Sequence, residues 1–421
     1  MTYRRLALAA VALPLLSACV SNDSIGTRPD PTGGALFSSY VAIGTSIGAG
    51  IRSGGLDSVG QQSAYPYLLA QAMGLTPGVD WYWPKIGGAG CPAPYSNILT
   101  STRISTVACG YRDPASAAPY VNNVSVPGIR IAQALDITRR DFPASDTLSL
   151  VQFLTGSRNP VDMAVAARPT FVTLELGAND VLGAATRGDT MLATRADSFQ
   201  LALTRIADKL DATGAEVAVA NIPNVTRIPY FSMGAIYYCL KNGGCPSPLP
   251  PATVPFSLPT FTVDASCAPV SPAVGLTTLV PFGTLGRILG ALTVGGSASL
   301  NCGPGAVTAT GSVAAQLPTL ITAEVQALSA RVTALNAIIA AEASARGWAL
   351  VDFDGLLAAQ AANIPAFPNL TATNPDLLMG MGTAATTLFS QDGIHPNAAG
   401  HLLIAAAFKT AINSAFGTAL P

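Results

Sequence analysis

Short apolar runs alternate along the chain with longer stretches in which apolar residues recur at helical spacing. The runs at 39–44, 121–126, 171–176, 216–220 and 348–353 have the pattern of buried strands. Helical spacing at 63–73, 129–139, 197–212, 323–345 and 397–416 predicts helices that bury one face. Strands alternating with helices predict an α/β domain whose open, mostly parallel sheet is covered on both faces.

The ends and interruptions of this pattern divide the chain. Arg4 and Arg5, an apolar run from Leu6 to Leu16 and small residues before Cys19 read as an export signal over 1–18. Leu16-Ser17-Ala18-Cys19 resembles a bacterial lipobox, which implies cleavage before Cys19 and lipidation of its thiol and amine. Several acyl chains at ~0.8 kcal/mol per buried methylene make a lasting membrane anchor. Ser21, two residues on, resembles outer-membrane sorting, so the expected location is the cell envelope, lipid-anchored at the outer membrane. Residues 19–37 form a polar, proline- and glycine-containing tether, and 38–421 the folded domain. Two segments look inserted into that domain, about 80–120 and about 232–318. In the second, Arg287 is the only charged residue between Asp264 and Glu324. Its apolar character suits either a packing element or a cap over an acyl pocket.

Composition narrows the classes of function. Charged residues make up 11% of the chain and the net charge is -1, which offers no basic surface for nucleic acid. Past residue 19 no run approaches the ~18 consecutive apolar residues of a membrane span. Removing Cys19 from the 7 cysteines leaves an even set in an exported chain, so disulfides are expected. Neighbours in sequence suggest Cys91 with Cys109, Cys239 with Cys245, and Cys267 with Cys302. The spacing suits no metal site, since none forms C-x-x-C and neither histidine lies near them.

The chain has 2 histidines, His395 and His401, so base catalysis by imidazole has only those candidates. His395 stands in Asp392-Gly393-Ile394-His395-Pro396, with a carboxylate three residues upstream that can hold one ring nitrogen while the other faces a nucleophile. His401 falls in the predicted final helix and reads as structural. Gly44-Thr45-Ser46-Ile47 ends the first strand and offers a serine, which becomes a good nucleophile only beside such a base. Gly177-Ala178-Asn179-Asp180 follows the strand at 171–176 and offers a neutral amide donor.

Together with Asn123-Val124-Ser125-Val126-Pro127-Gly128, these blocks resemble the SGNH, or GDSL-type, esterase and lipase family over residues 37 to about 416. The resemblance implies a three-layer, flavodoxin-like fold and a Ser46–His395–Asp392 triad. It implies an oxyanion hole of the Ser46 and Gly128 backbone N–H groups and the Asn179 side chain, with Asp180 structural. Thr45 departs from the pattern, because the family usually has aspartate there, outside the triad. The implied reaction is ester hydrolysis through an acyl-enzyme, with no metal or organic cofactor, on a small-molecule or lipid acyl ester. The same motifs suit an envelope acyltransferase or a carbohydrate deacetylase, and a non-catalytic envelope binding lipoprotein is the alternative outside enzymology.

Overall fold

The computed structural model describes residues 34–98, 101–107, 121–138, 150, 153–156, 158–242, 260–269, 274–284, 286, 288, 295–303, 307–310, 319–361 and 388–421. The proposed signal peptide, Cys19 and the tether up to residue 33 lie outside them, as do Cys109 and Cys245.

The central elements follow in chain order: β1 (Tyr40–Ile43), α1 (Ser46–Ala49), α2 (Tyr65–Ala72), β2 (Phe171–Leu174), α3 (Ala178–Arg187), α4 (Ala196–Asp211), β3 (Glu216–Ala220), α5 (Thr322–Arg346), β4 (Ala349–Val351) and α6 (Ala398–Phe416). The four strands form one parallel sheet in the order β1-β2-β3-β4. Residues 122–126 extend it beyond β1: the Ala42 N–H donates to the Asn122 carbonyl (2.8 Å), and Val124 N–H and Val126 N–H donate to Ala42 and Gly44 carbonyls (2.9 and 3.0 Å). An isolated parallel bridge joins Ala42 to Asn123. Across the sheet the chain order is therefore second, first, third, fourth, fifth, the flavodoxin-like order. It reverses at β1, the kind of switch point beyond whose strand carboxyl ends open α/β sheets place their sites.

Alternation along the strands builds a core on each face. Val41, Ile43, Val172, Leu174, Val217 and Val219 pack with α3, α4 and α5 on one side. Tyr40, Ala42, Phe171, Ala218, Ala220 and Val351 pack with α2 and α6 on the other. Trp81 and Trp83 join that second core, Trp81 stacked 6.0 Å from Tyr40.

Two predicted helices are shorter than their apolar spacing suggests. The one expected at 63–73 runs Tyr65–Ala72, with Pro66 in its first turn, where the missing N–H costs nothing. The one expected at 129–139 runs Ile131–Leu135, because the Asp136 carboxylate accepts from the Thr138 N–H and hydroxyl and turns the chain instead.

Between β3 and α5 the chain builds a small β module. Phe231–Met233 pairs antiparallel with Leu279–Pro281, and Ser297–Leu300 lies between Phe261–Val263 and Val307–Thr310. Tyr237, Phe261, Val280, Ile288 and Leu300 give it a core of its own. A Cys267–Cys302 disulfide crosses that core, which agrees with the expected pair. Cys91 and Cys239 are also disulfide-bonded. Among the described residues no helix is long and apolar enough to cross a membrane.

Candidate active site

Ser46 is the first residue of the one-turn helix α1, delivered by Gly44 and Thr45 from the end of β1. The approach is tight, since a Cβ on Gly44 would lie 2.9 Å from both Glu175 Oε2 and Ser125 Oγ. Thr45, at the N-cap, makes no side-chain cap bond. Glu175, one residue past β2, supplies the acceptors instead. Its carboxylate accepts from the Thr45 N–H (2.9 Å), the Thr45 hydroxyl (2.8 Å) and the Gly48 N–H (3.3 Å). Burial pushes the Glu175 carboxyl up to about 7, against the lowering effect of these hydrogen bonds and of nearby His395.

The histidine loop is held from several sides. Asp392 Oδ2 lies 2.8 Å from His395 Nδ1, while Asp392 Oδ1 accepts from the Ile394 and His395 N–H groups at 2.9 Å each. Burial alone would raise the Asp392 carboxyl, but the His395 ring and these hydrogen bonds hold it at about 2. Gly393 has φ 66, and a Cβ there would come within 2.9 Å of the Tyr230 nitrogen. Only glycine meets both conditions without strain. The loop docks on the turn of a hairpin, Ile51–Arg52 with Gly55–Leu56, that follows α1 almost directly. There the Gly54 N–H donates to Asp392 Oδ2 (2.7 Å), the Ser53 N–H to Ser390 Oγ (2.7 Å), and the Gln391 N–H to Ser53 Oγ (3.2 Å). Ser53 and Gly54 both have positive φ, the conformation of a two-residue type I′ turn.

The third and fourth blocks meet beside this. Asn179 enters α3 after Gly177, whose φ of 114 a side chain would rarely adopt. Its Nδ2 donates to the Ile129 carbonyl (2.9 Å), next to Gly128, and this uses one of its two amide hydrogens. Asp180 is buried, accepting from the Ile131 N–H (3.0 Å) and the Thr194 hydroxyl (2.7 Å), so it ties α3 to the Gly128 segment. Burial raises its carboxyl to about 6, despite those bonds and Arg130. Ser46, Gly128, Asn179 and His395 are each half-buried, whereas Thr45, Ser125, Asp180 and Asp392 beside them are buried. His401 is buried in α6, its Nδ1 without a hydrogen bond, and burial drives it down to about 3.

Two contributors were not foreseen from sequence. Ser53-Gly54 carries a visible signal, a turn dipeptide with a glycine between short apolar stretches. Glu175 carries almost none, because a lone acid after a strand is ordinarily exposed.

A parallel sheet covered on both faces, in the flavodoxin-like strand order, with the Ser46 turn leaving β1 and the Asn179 turn leaving β2, is the framework of a three-layer α/β fold. Residues 40–255 match the family model GDSL-like Lipase/Acylhydrolase, and the chain belongs to that family. It is therefore a hydrolase of ester bonds of the esterase and lipase type. The matched stretch holds Ser46, Gly128 and Asn179 and ends before Asp392 and His395. A search of curated proteins found no match.

Proposed function

We propose that this protein hydrolyses acyl esters at the bacterial envelope with Ser46 as nucleophile, His395 as general base and Asp392 as its orienter. The observation that carries the reading is the Asp392–His395 contact of 2.8 Å, clamped to the hairpin that continues from the Ser46 helix. Asp392 bound at Nδ1 keeps that nitrogen protonated and leaves Nε2 as the acceptor. Ser46 Oγ adds to the ester carbonyl as its proton passes to Nε2. The Ser46 and Gly128 N–H groups and the free amide hydrogen of Asn179 receive the charge that develops on the carbonyl oxygen. As the tetrahedral adduct collapses, the ester C–O bond breaks and His395 returns the proton to the leaving alcohol. Water then repeats the sequence on the acyl-enzyme and releases the acid.

A groove lined by Ile47, Ile228, Phe353, Leu357, Ile394 and Leu403 supports an apolar acyl group, because Ile47 and Ile394 adjoin Ser46 and His395 in the chain. The β module is the proposed cap, rooted at Tyr230, whose N–H donates to the Gly393 carbonyl (2.9 Å). Export and lipidation at Cys19 complete the reading, with the domain working from an outer-membrane anchor. The test is hydrolysis of nitrophenyl esters from acetyl to palmitoyl by protein beginning at Val20, alongside Ser46→Ala and capture by a fluorophosphonate. Turnover and capture that both vanish in Ser46→Ala are expected. A folded protein that neither turns over esters nor takes the probe would instead be a binding lipoprotein.

A further inference from the structure

Three buried polar groups crowd under the Ser46 turn that the proposed chemistry does not use: the Glu175 carboxylate, the Ser125 hydroxyl and the Tyr65 hydroxyl. Of these, Glu175 touches the turn itself. Its backbone N–H donates to the Ile43 carbonyl (2.9 Å), so it continues the β1–β2 ladder one step past the end of β2. Its side chain then reaches across to the Thr45 N–H, the Thr45 hydroxyl and the Gly48 N–H. Gly48 is the third residue of α1, the position whose N–H an N-cap side chain ordinarily accepts. Thr45 spends its hydroxyl as a donor, and a carboxylate from the next strand performs the cap in its place. Since the same segment leads through Gly177 to Asn179, one side chain fixes the nucleophile turn relative to the amide donor.

We infer that Glu175 is a positioning residue for the reaction: it holds Ser46 in register with Asn179 by capping α1 from the adjacent strand. The inference rests on the assignment of Ser46 as nucleophile. The arrangement gives the missing aspartate at position 45 a physical meaning. An aspartate there could accept from the Gly48 N–H by itself; here Thr45 turns its hydroxyl to Glu175 as a donor and makes no cap bond, and Glu175 accepts from Gly48 instead. Two titratable groups face the carboxylate, Tyr65 from α2, which it pushes towards the neutral form, and His395 from the histidine loop, which favours the anion. Burial that lifts Glu175 to about 7 makes the clamp sensitive to protonation near neutral pH, because a protonated carboxyl gives up one of its acceptor sites.

The experiment measures kcat and KM on nitrophenyl acetate across pH for Glu175→Gln and for Thr45→Asp combined with Glu175→Gln. The single variant presents an amide donor to the Thr45 hydroxyl and should lose kcat by about 10–100-fold with KM within about twofold, the cost of a misplaced nucleophile. Its kcat should fall less steeply towards acid than that of the natural protein. The double variant restores a carboxylate able to cap Gly48 and to accept from the new amide, and should recover most of kcat. A folded Glu175→Gln protein with kcat within about twofold and an unchanged pH profile overturns the inference, as does a double variant no better than the single one. If the single variant does not fold, Glu175→Asp keeps the charge but is one methylene too short to reach both the Thr45 and Gly48 N–H groups, and unchanged kcat there overturns it equally. Fluorophosphonate capture lost in Ser46→Ala tests the nucleophile independently, so the two ideas fail separately.

Discussion

At the scale of single residues, the proposed mechanism divides two carboxylates and two histidines between chemistry and support. Asp392 accepts four N–H bonds and a hydroxyl, from Gly54, Ile394, the His395 backbone, the His395 ring and Ser390. Asp392→Asn would keep most of the shape but give Nδ1 a donor to face, favouring the wrong tautomer; kcat should fall by about 10⁴-fold with KM little changed, read by steady-state kinetics near neutral pH. Charge burial here also sets how stability depends on pH. Asp392, held at about 2, contributes stability above the usual carboxylate range that is lost as pH falls through about 2. Glu175, raised to about 7, works the other way: its contribution is full below about 4.5 and is lost as pH rises through about 7. His401, kept neutral down to about 3, contributes fully above 6.5, and the loss grows as pH falls. Between about 4.5 and 6.5 the Glu175 and His401 effects oppose one another. His401→Leu removes one side of that balance. Urea denaturation should show the variant gaining about 2 kcal/mol on the natural protein between pH 8 and pH 5. An equal gap at both pH values would mean that His401 takes up a proton in the folded state.

At the scale of elements, the site depends on turns that admit no side chain. A Cβ on Gly48 would lie 2.4 Å from Ser125 Oγ and 3.1 Å from Ser125 Cβ. Gly48→Ala should therefore displace α1, costing about 1–3 kcal/mol of stability, and lower kcat by about tenfold or more. Adding Ser125→Gly removes both colliding atoms and should restore most of kcat, a second-site effect that a general loss of helix quality would not show. These contacts also mark how far the sequence could be read. Strands 171–176 and 216–220 and helices 197–212 and 323–345 were legible within a residue or two, because the strands are short apolar runs buried on both faces and the helices repeat their buried residues at helical spacing. Helix 129–139 was overestimated, since Asp136 turns the chain by a local bond that periodicity does not register. In the site, Ser46, His395 and Asp392 stood out as residue types with a definite chemistry. Glu175 did not, because its importance lies in which backbone groups a neighbouring strand brings to it. Ser53-Gly54 is legible as a turn, but its role is not, because that role arises from residues more than three hundred positions away, at Ser390 and Asp392.

At the scale of the whole molecule, a rigid sheet carries a small module with a separate core, and the two meet at the histidine loop. Tyr230 joins them: its N–H donates to the Gly393 carbonyl, and its carbonyl accepts from Phe282 N–H at the module's antiparallel pair (both 2.9 Å). Among the described residues the module's core gathers five large apolar side chains around the Cys267–Cys302 bond, apart from the two cores of the sheet. Its stability should then lean on the Cys267–Cys302 bond, which spans 35 residues. A loop of that length confers about 4 kcal/mol through the restricted unfolded chain. Replacing both cysteines with serine should open the module well below the melting temperature of the sheet. Calorimetry would show an early transition absent from the natural protein, and limited proteolysis would cut first within 260–303. Because the module's root grips the carbonyl of Gly393, two residues before the base, the same variant should lose turnover of palmitoyl esters before acetyl esters as temperature rises through the first transition. A single transition with both esters lost together would mean that module and sheet fold as one unit, and the proposed cap would have no independent existence.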